Sequence, residues 1–213
     1  MNDWPPSPVF SAYLDSLVPP RPPLLAELEA EAQRTGFPII GPASGQACYL
    51  LARMIGARRI FELGSGFGYS TAWFAKALRE NGGGLVHHVV WDEELSRQAR
   101  ENLGALGYAD LVRFEIGEAV STLRGFEGKF DLIFNDIEKE DYPASLPVIA
   151  SKLRSGGILI VDNLLWDGKI FDPSDSSPAT EGIREFTRLV AGDDAWISSI
   201  LPIRDGLLLA FKK

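Results

Sequence analysis

The stretch "RIFELGSGFGYSTAWFAKALRE", residues 59–80, decides the fold. It starts as a short apolar run of the length of a buried strand and stops at glycines. Gly64-Ser65-Gly66-Phe67-Gly68 makes the break, and "STAWFAKALRE" resumes as an amphipathic helix. The alternation continues toward the C-terminus: "LVHHVV" then "EELSRQARENLGALG", "VRFEI" then "AVSTLRG", "FDLIFN" then "YPASLPVIASKL", and finally "GILIVD". Such repeated strand–helix pairs predict a doubly wound, mostly parallel α/β sheet of Rossmann-like form.

Beyond this repeat, a polar loop from Asp167 to Ser177 precedes a helix from about Thr180 to Val190. Two further apolar runs, "AWISSIL" and "GLLLAFKK", flank Arg204-Asp205-Gly206 with no helix between them. They predict a C-terminal antiparallel hairpin at the sheet edge, completing seven strands. Upstream, "FSAYLDSL" reads as a short helix, Leu24 to Thr35 as a second, and Ser44 to Ile55 as a third that stops at Gly56. Seven of the 14 prolines lie in the first 23 residues, so extended pieces should surround the first helix. The expected organisation is one domain over residues 1–213, with a helical elaboration over 1–43 and the Rossmann-like core over 58–213.

The chain has 213 residues and a net charge of −8, with no run of Lys or Arg. This acidic field repels polyphosphates and anionic bilayers, so no nucleic acid and no membrane is the expectation. Cys48 is the single cysteine; it excludes an internal disulfide and reads as a small core residue in "GQACYLLARMIG". The start, "MNDWPPSPVF", has no basic segment leading into an apolar one, which points to a cytoplasmic protein.

The glycine turn carries chemistry as well as shape. Glycines let a chain approach a ligand closely, and the helix start after them offers free N–H groups to an anion. The spacing is G-x-G-x-G, not G-x-G-x-x-G, and no Gly-Lys-Ser/Thr follows. Glu62 just before the turn suits an ammonium or hydroxyl and not a phosphate, which favours S-adenosylmethionine. The candidate cofactor-binding residues here are Glu62, Gly64, Ser65, Gly68, Tyr69 and Ser70.

A second constellation lies at two later strand ends. Asp136 follows "FDLIFN" and Asp162 follows "GILIV", 26 residues apart, the length of one strand–helix–strand unit. Adjacent parallel strands would bring Asp136, Asp162 and Asn163 together at the carboxyl edge, where open α/β sheets bind ligands. Two carboxylates and an amide oxygen are hard ligands that match Mg²⁺, with Mn²⁺ or Ca²⁺ as substitutes. The competing reading is structural: Asp136 or Glu138 caps the helix near Tyr142, and Asp162-Asn163 is a turn.

"FELGSGFGYST", "FNDIEKEDY" and "VDNLLWDGK" together resemble the cation-dependent O-methyltransferases, the group of caffeoyl-CoA and catechol O-methyltransferases and their small bacterial relatives. The resemblance runs from about Leu24 to the C-terminus, including "IIGPASGQ" and "RDGLLLAFKK". It implies the class I S-adenosylmethionine-dependent methyltransferase fold, a homodimer, and methylation of a catechol-like or other vicinal dihydroxy small molecule. By resemblance Lys139 is the general base beside the metal, and Asp136 serves metal and cofactor. Ser70 faces the methionine carboxylate, Ala119 lies beside the adenine, and Trp166 borders the acceptor, where core packing is the equal alternative. The pattern departs at Val90, which stands where the family has an acid for the ribose hydroxyls; either Asp92 or Glu93 reaches them from a shifted turn, or cofactor affinity is reduced. His87 and His88, as neighbours in one strand, face opposite sides and read as structural. Two other functions stay open: a methyltransferase-like binding or scaffold protein without turnover, and an NAD-dependent oxidoreductase, against which the glycine spacing argues.

Overall fold

The computed structural model describes residues 8–213. The proline-rich stretch around Pro5 and Pro6 lies outside the described residues. The chain runs α1 (Pro8–Ser16), α2 (Pro23–Thr35), α3 (Gly41–Met54), β1 (Arg59–Leu63), α4 (Tyr69–Glu80), β2 (Leu85–Val90), α5 (Glu93–Ala105) and β3 (Val112–Ile116). It continues as α6 (Ala119–Gly125), β4 (Phe130–Asn135), α7 (Tyr142–Lys152), β5 (Leu153–Val161), α8 (Pro178–Gly192), β6 (Trp196–Leu201) and β7 (Leu207–Lys212).

The seven strands form one sheet in the order β3-β2-β1-β4-β5-β7-β6. The first five are mutually parallel, and β7 runs antiparallel to both β5 and β6. The predicted hairpin therefore closes one edge, with its second strand inserted on the inside. Chain order reverses between β1 and β4, the switch point at which such sheets open a crevice. Register makes the crevice level: Leu63 pairs with Asn135, and Asn135 with Val161. Gly64, Asp136 and Asp162 consequently leave the sheet side by side.

Alternating strand residues feed two cores. On one face Ile60, Val86, Leu132, Phe134 and Ile160 meet Leu25 of α2, Cys48 and Ala52 of α3, Phe74 of α4 and Leu103 of α5. On the other, Phe61, Leu63, Ile133, Leu159 and Val161 meet Leu123 of α6, Ile149 of α7, and Ile183 and Phe186 of α8. Helices α2 and α3 thus share a core with the sheet. Among the described residues, no helix is long and apolar enough to cross a membrane.

Two boundaries differ from the sequence reading by three residues or more. Helix α3 starts at Gly41, not near Ser44, because Pro42 suits a first turn and Asp15 Oδ1 accepts from Ala43 N at 3.1 Å. Strand β5 starts at Leu153, not Ile158, because a register shift between Phe130 and Leu132 lets its irregular first half still pair with β4.

Candidate functional site

Gly64 leaves β1 with φ 82°, and a Cβ there would stand 2.9 Å from the Asp136 carbonyl carbon. Only glycine lets the ends of β1 and β4 approach so closely. Ser65 ties the turn to β2: its N–H donates to Val89 O at 3.1 Å, and its hydroxyl accepts from Val89 N at 3.0 Å. Gly68, at φ 93°, starts α4. Gly64, Ser65, Tyr69, Ser70 and Asp136 line one cleft, roofed by residues 37–40 between α2 and α3. Phe37 holds that roof down through its ring, 4.8 Å from the Phe67 ring. The Tyr69 hydroxyl is committed elsewhere, donating to Glu29 Oε1 at 2.7 Å.

Beneath the turn, Glu62 is fully buried. Burial pushes its carboxyl up to about 7, against the pull of the Thr71, Ser70 and Ser65 hydroxyls around it. Its Oε2 accepts from the Thr71 hydroxyl, while Oε1 has no hydrogen-bond partner among the described residues. A buried, unpartnered carboxylate oxygen under a glycine turn suits a cationic group, as the ammonium of S-adenosylmethionine is. The histidines do face opposite ways: His87 packs against Phe126 and Phe130, and His88 against Phe114.

At the end of β2, Val90 is buried and Trp91 beside it is 74% exposed. Asp92 is the N-cap of α5, its Oδ1 accepting from Leu95 N at 2.9 Å. Glu118 caps α6 in the same way, accepting from Val120 N and Ser121 N at 2.7 and 2.6 Å. Ala119 follows it, buried. These residues stand on the β2 and β3 side of the same sheet edge, apart from the cleft lined by the glycine turn.

The acid–lysine turn sits on the other side of Gly64. Asp136 N donates to Leu63 O, and Asp162 N to Asn135 O, so both acids are held by the strand ladder. Lys139 opens a single 3₁₀ turn, Lys139–Asp141, and its side chain folds back across Ile137 and Glu138: its Nζ donates to Asp136 Oδ1 at 2.8 Å and to Ile137 O at 3.1 Å. The same ammonium lies 5.5 Å from the Tyr142 ring centroid and 5.8 Å from that of Trp166. Neither Asp136 nor Glu138 caps α7, whose N-cap, Asp141, has no side-chain bond. Asp162 is 6% exposed, and its Oδ1 has no hydrogen-bond partner among the described residues. Burial, and then the charge of Asp136, raise its carboxyl well above the usual range. Asn163 adopts the left-handed region, φ 63°, and its Nδ2 donates to Asp205 Oδ2 at 3.3 Å.

Two further residues complete this edge and were not singled out from the sequence. Asp205, in the β6–β7 turn, orients Asn163 and also accepts from Asp167 N at 2.6 Å. Tyr142, fully buried, donates its hydroxyl to Asp162 O at 3.1 Å. The turn itself is sewn to the chain after β5 by Leu164 N to Gly206 O and Leu165 N to Asp205 O. Both lie inside stretches quoted from the sequence, "RDGLLLAFKK" for Asp205 and "FNDIEKEDY" for Tyr142, but neither stretch gave the residue a role. An unpaired buried oxygen on Asp162, a like charge facing it and a steered amide fit a hard divalent cation. Among the described residues no three His, Cys, Asp or Glu side chains form a cage, and the donor set is two acids and an amide.

Residues 16–213 match the family model described as O-methyltransferase. A catechol O-methyltransferase of Niastella koreensis is 32% identical over 201 residues, covering 89% of this chain and 90% of that one. A catechol O-methyltransferase of Mycobacterium tuberculosis is 33% identical, covering 86% and 84%. Among solved structures, an O-methyltransferase from Bacillus cereus in complex with SAH superposes with a TM-score of 0.86 at 28% identity, covering 96% of this chain and 97% of that one. TomG, an O-methyltransferase from Streptomyces achromogenes in complex with SAM, does so at 0.82 and 28%, covering 96% of each. With the family model spanning nearly the whole chain and the glycine turn at the switch point of the matching fold, the chain belongs to the O-methyltransferase family and is an S-adenosylmethionine-dependent O-methyltransferase.

Proposed function

We propose that this enzyme methylates one hydroxyl of a catechol-like or other vicinal dihydroxy small molecule, with a divalent cation, Mg²⁺ foremost, held by Asp136, Asp162 and Asn163. The observation that carries the reading is the Lys139 ammonium, 2.8 Å from Asp136 at the strand end beside the unpartnered Asp162 oxygen. When bound, such a cation would hold both acceptor oxygens and acidify the one to be methylated. Lys139, held 2.8 Å from Asp136, takes the hydroxyl proton. Trp166, beside Lys139 and 5.1 Å from the Lys169 ammonium, borders the acceptor ring. Glu62, Gly64, Ser65, Gly68, Tyr69, Ser70 and Asp136 hold the amino-acid end of the donor, and Asp92 and Ala119 its adenosine end. Holding donor and acceptor in line supplies much of the rate, since methyl transfer needs little beyond alignment.

The protein works as a cytoplasmic homodimer on a small molecule; its acidic surface argues against nucleic acid and membrane partners. The test is methyl transfer to catechol, a caffeoyl ester and a hydroxylated flavonoid, with and without EDTA, for the parent and for Lys139→Ala. EDTA should abolish activity and added Mg²⁺ restore it. Lys139→Ala should lower kcat by about two orders of magnitude or more while S-adenosylhomocysteine still binds. Activity indifferent to EDTA removes the cation, and parental turnover in Lys139→Ala removes the base.

A further inference from the structure

Behind the cleft, three elements contribute one polar group each to a buried chain of contacts. Glu62 comes from β1, Thr71 from the first turn of α4, and His88 from β2; all three are fully buried. Thr71 Oγ1 bonds Glu62 Oε2 on one side and lies 3.0 Å from His88 Nδ1 on the other. The chain ends in two unpartnered atoms, Glu62 Oε1 and His88 Nε2. We infer that Thr71 and His88 are positioning residues for the donor's amino-acid end: they lock one oxygen of Glu62 so that the other stays aimed at the ammonium of S-adenosylmethionine. The inference rests on the reading of Glu62 as the ammonium's partner.

Proton counting supports a directed chain. A threonine hydroxyl has one proton, and Glu62 in its ionised form, the one that meets an ammonium, can only accept. If Thr71 donates to Glu62, its oxygen must accept from His88, so the ring proton sits on Nδ1. Nε2 then carries the lone pair, with no hydrogen-bond partner among the described residues. The ring cannot turn freely, because it lies against Phe114 at 5.3 Å between centroids. Burial drives His88 down to about 3, so the ring is neutral at working pH and donates without adding charge. Thr71 thus holds Oε2, while Oε1 has no hydrogen-bond partner among the described residues.

Titration calorimetry on the full chain separates the possibilities, with S-adenosylhomocysteine and 5′-methylthioadenosine as ligands. The second shares the adenosine and sulfur but ends before the amino acid. Thr71→Val should weaken S-adenosylhomocysteine about five- to thirtyfold while 5′-methylthioadenosine changes less than about twofold, and Thr71→Ser should restore parental binding. His88→Gln is the second variant, with the same selective loss, should Thr71→Val not fold. Equal loss for both ligands, or no loss for either, overturns the inference. Glu62→Gln tests the underlying reading: if it leaves the ratio of the two affinities unchanged, Glu62 does not meet the ammonium. If it shifts the ratio and Thr71→Val does not, only the chain is wrong. With two histidines in the sequence, imidazole ¹⁵N shifts at pH 8 can be assigned by His88→Gln. The Nδ1–H tautomer is expected, and an Nε2–H ring overturns the proposed direction.

Discussion

Val90 is a single side chain on which cofactor affinity should turn. It closes β2 at the place where, by resemblance, an acid accepts the ribose hydroxyls, and Asp92 two residues on is occupied in capping α5. A charged acceptor for such hydroxyls contributes about 1.5–3 kcal/mol, so Val90→Asp should tighten S-adenosylhomocysteine about tenfold or more by calorimetry. The same variant should melt lower without ligand, because Val90 is buried and a carboxylate there loses water. Unchanged affinity would mean that the adenosine is held by other groups. At this scale the sequence was informative where a residue's role follows from its place along a strand. Asp136 and Asp162 were legible because each ends an apolar run and one unit separates them. Asp205 was not, since it steers Asn163 across 42 residues of chain through a side-chain bond that no periodicity records. The chain through Thr71 and His88 escaped for the same reason.

Helix α8 shows how an element away from the cleft sets the geometry within it. Gly182 on α8 packs so closely on the acid–lysine turn that a Cβ there would lie 2.8 Å from Glu140 Cα and collide with the Lys139 carbonyl. Alanine favours a helix interior over glycine by about 1 kcal/mol, but a clash of backbone against backbone has no rotamer to relieve it. Overpacking of this kind typically costs about 1–3 kcal/mol, so the clash wins for Gly182→Ala and wins clearly for Gly182→Val. Gly182→Val should lower the melting temperature by several degrees and reduce turnover by displacing Lys139 from Asp136. A stable, fully active Gly182→Val enzyme would show that the turn yields without moving its lysine. The strands themselves were readable because buried parallel strands are near-continuous apolar runs. The start of α3 was not: its N-cap, Ile40, makes no side-chain bond, and the donor at Ala43 is satisfied by Asp15 from a different helix. A helix capped from a distance leaves no local signature.

For the molecule as a whole, the residues that line the glycine-turn cleft lie between β1, α4 and the segment joining α2 to α3. The apolar surface argues for a partner copy. Val9 and Tyr13 on α1, Leu17 just after it, and Leu50 and Met54 on α3 are exposed by 52–78%. Val9 and Tyr13 are four residues apart, as are Leu50 and Met54, so each pair forms a stripe on one helix face. The bond from Asp15 to Ala43 holds α1 against the start of α3. A standard interface buries about 800 Å² per partner, more than five side chains present, so polar neighbours must supply the rim. Their large share of the apolar surface makes two charges at its centre decisive, since a buried unpaired carboxylate costs several kcal/mol. Light scattering at tens of micromolar should therefore give the parent protein twice the mass of the 23.3 kDa chain, and Tyr13→Glu/Met54→Glu the mass of one. The monomeric variant should still bind S-adenosylhomocysteine, because none of the residues assigned to the donor lies on α1. A parent that runs as a monomer refutes the dimer, and a variant that stays dimeric moves the interface to another face.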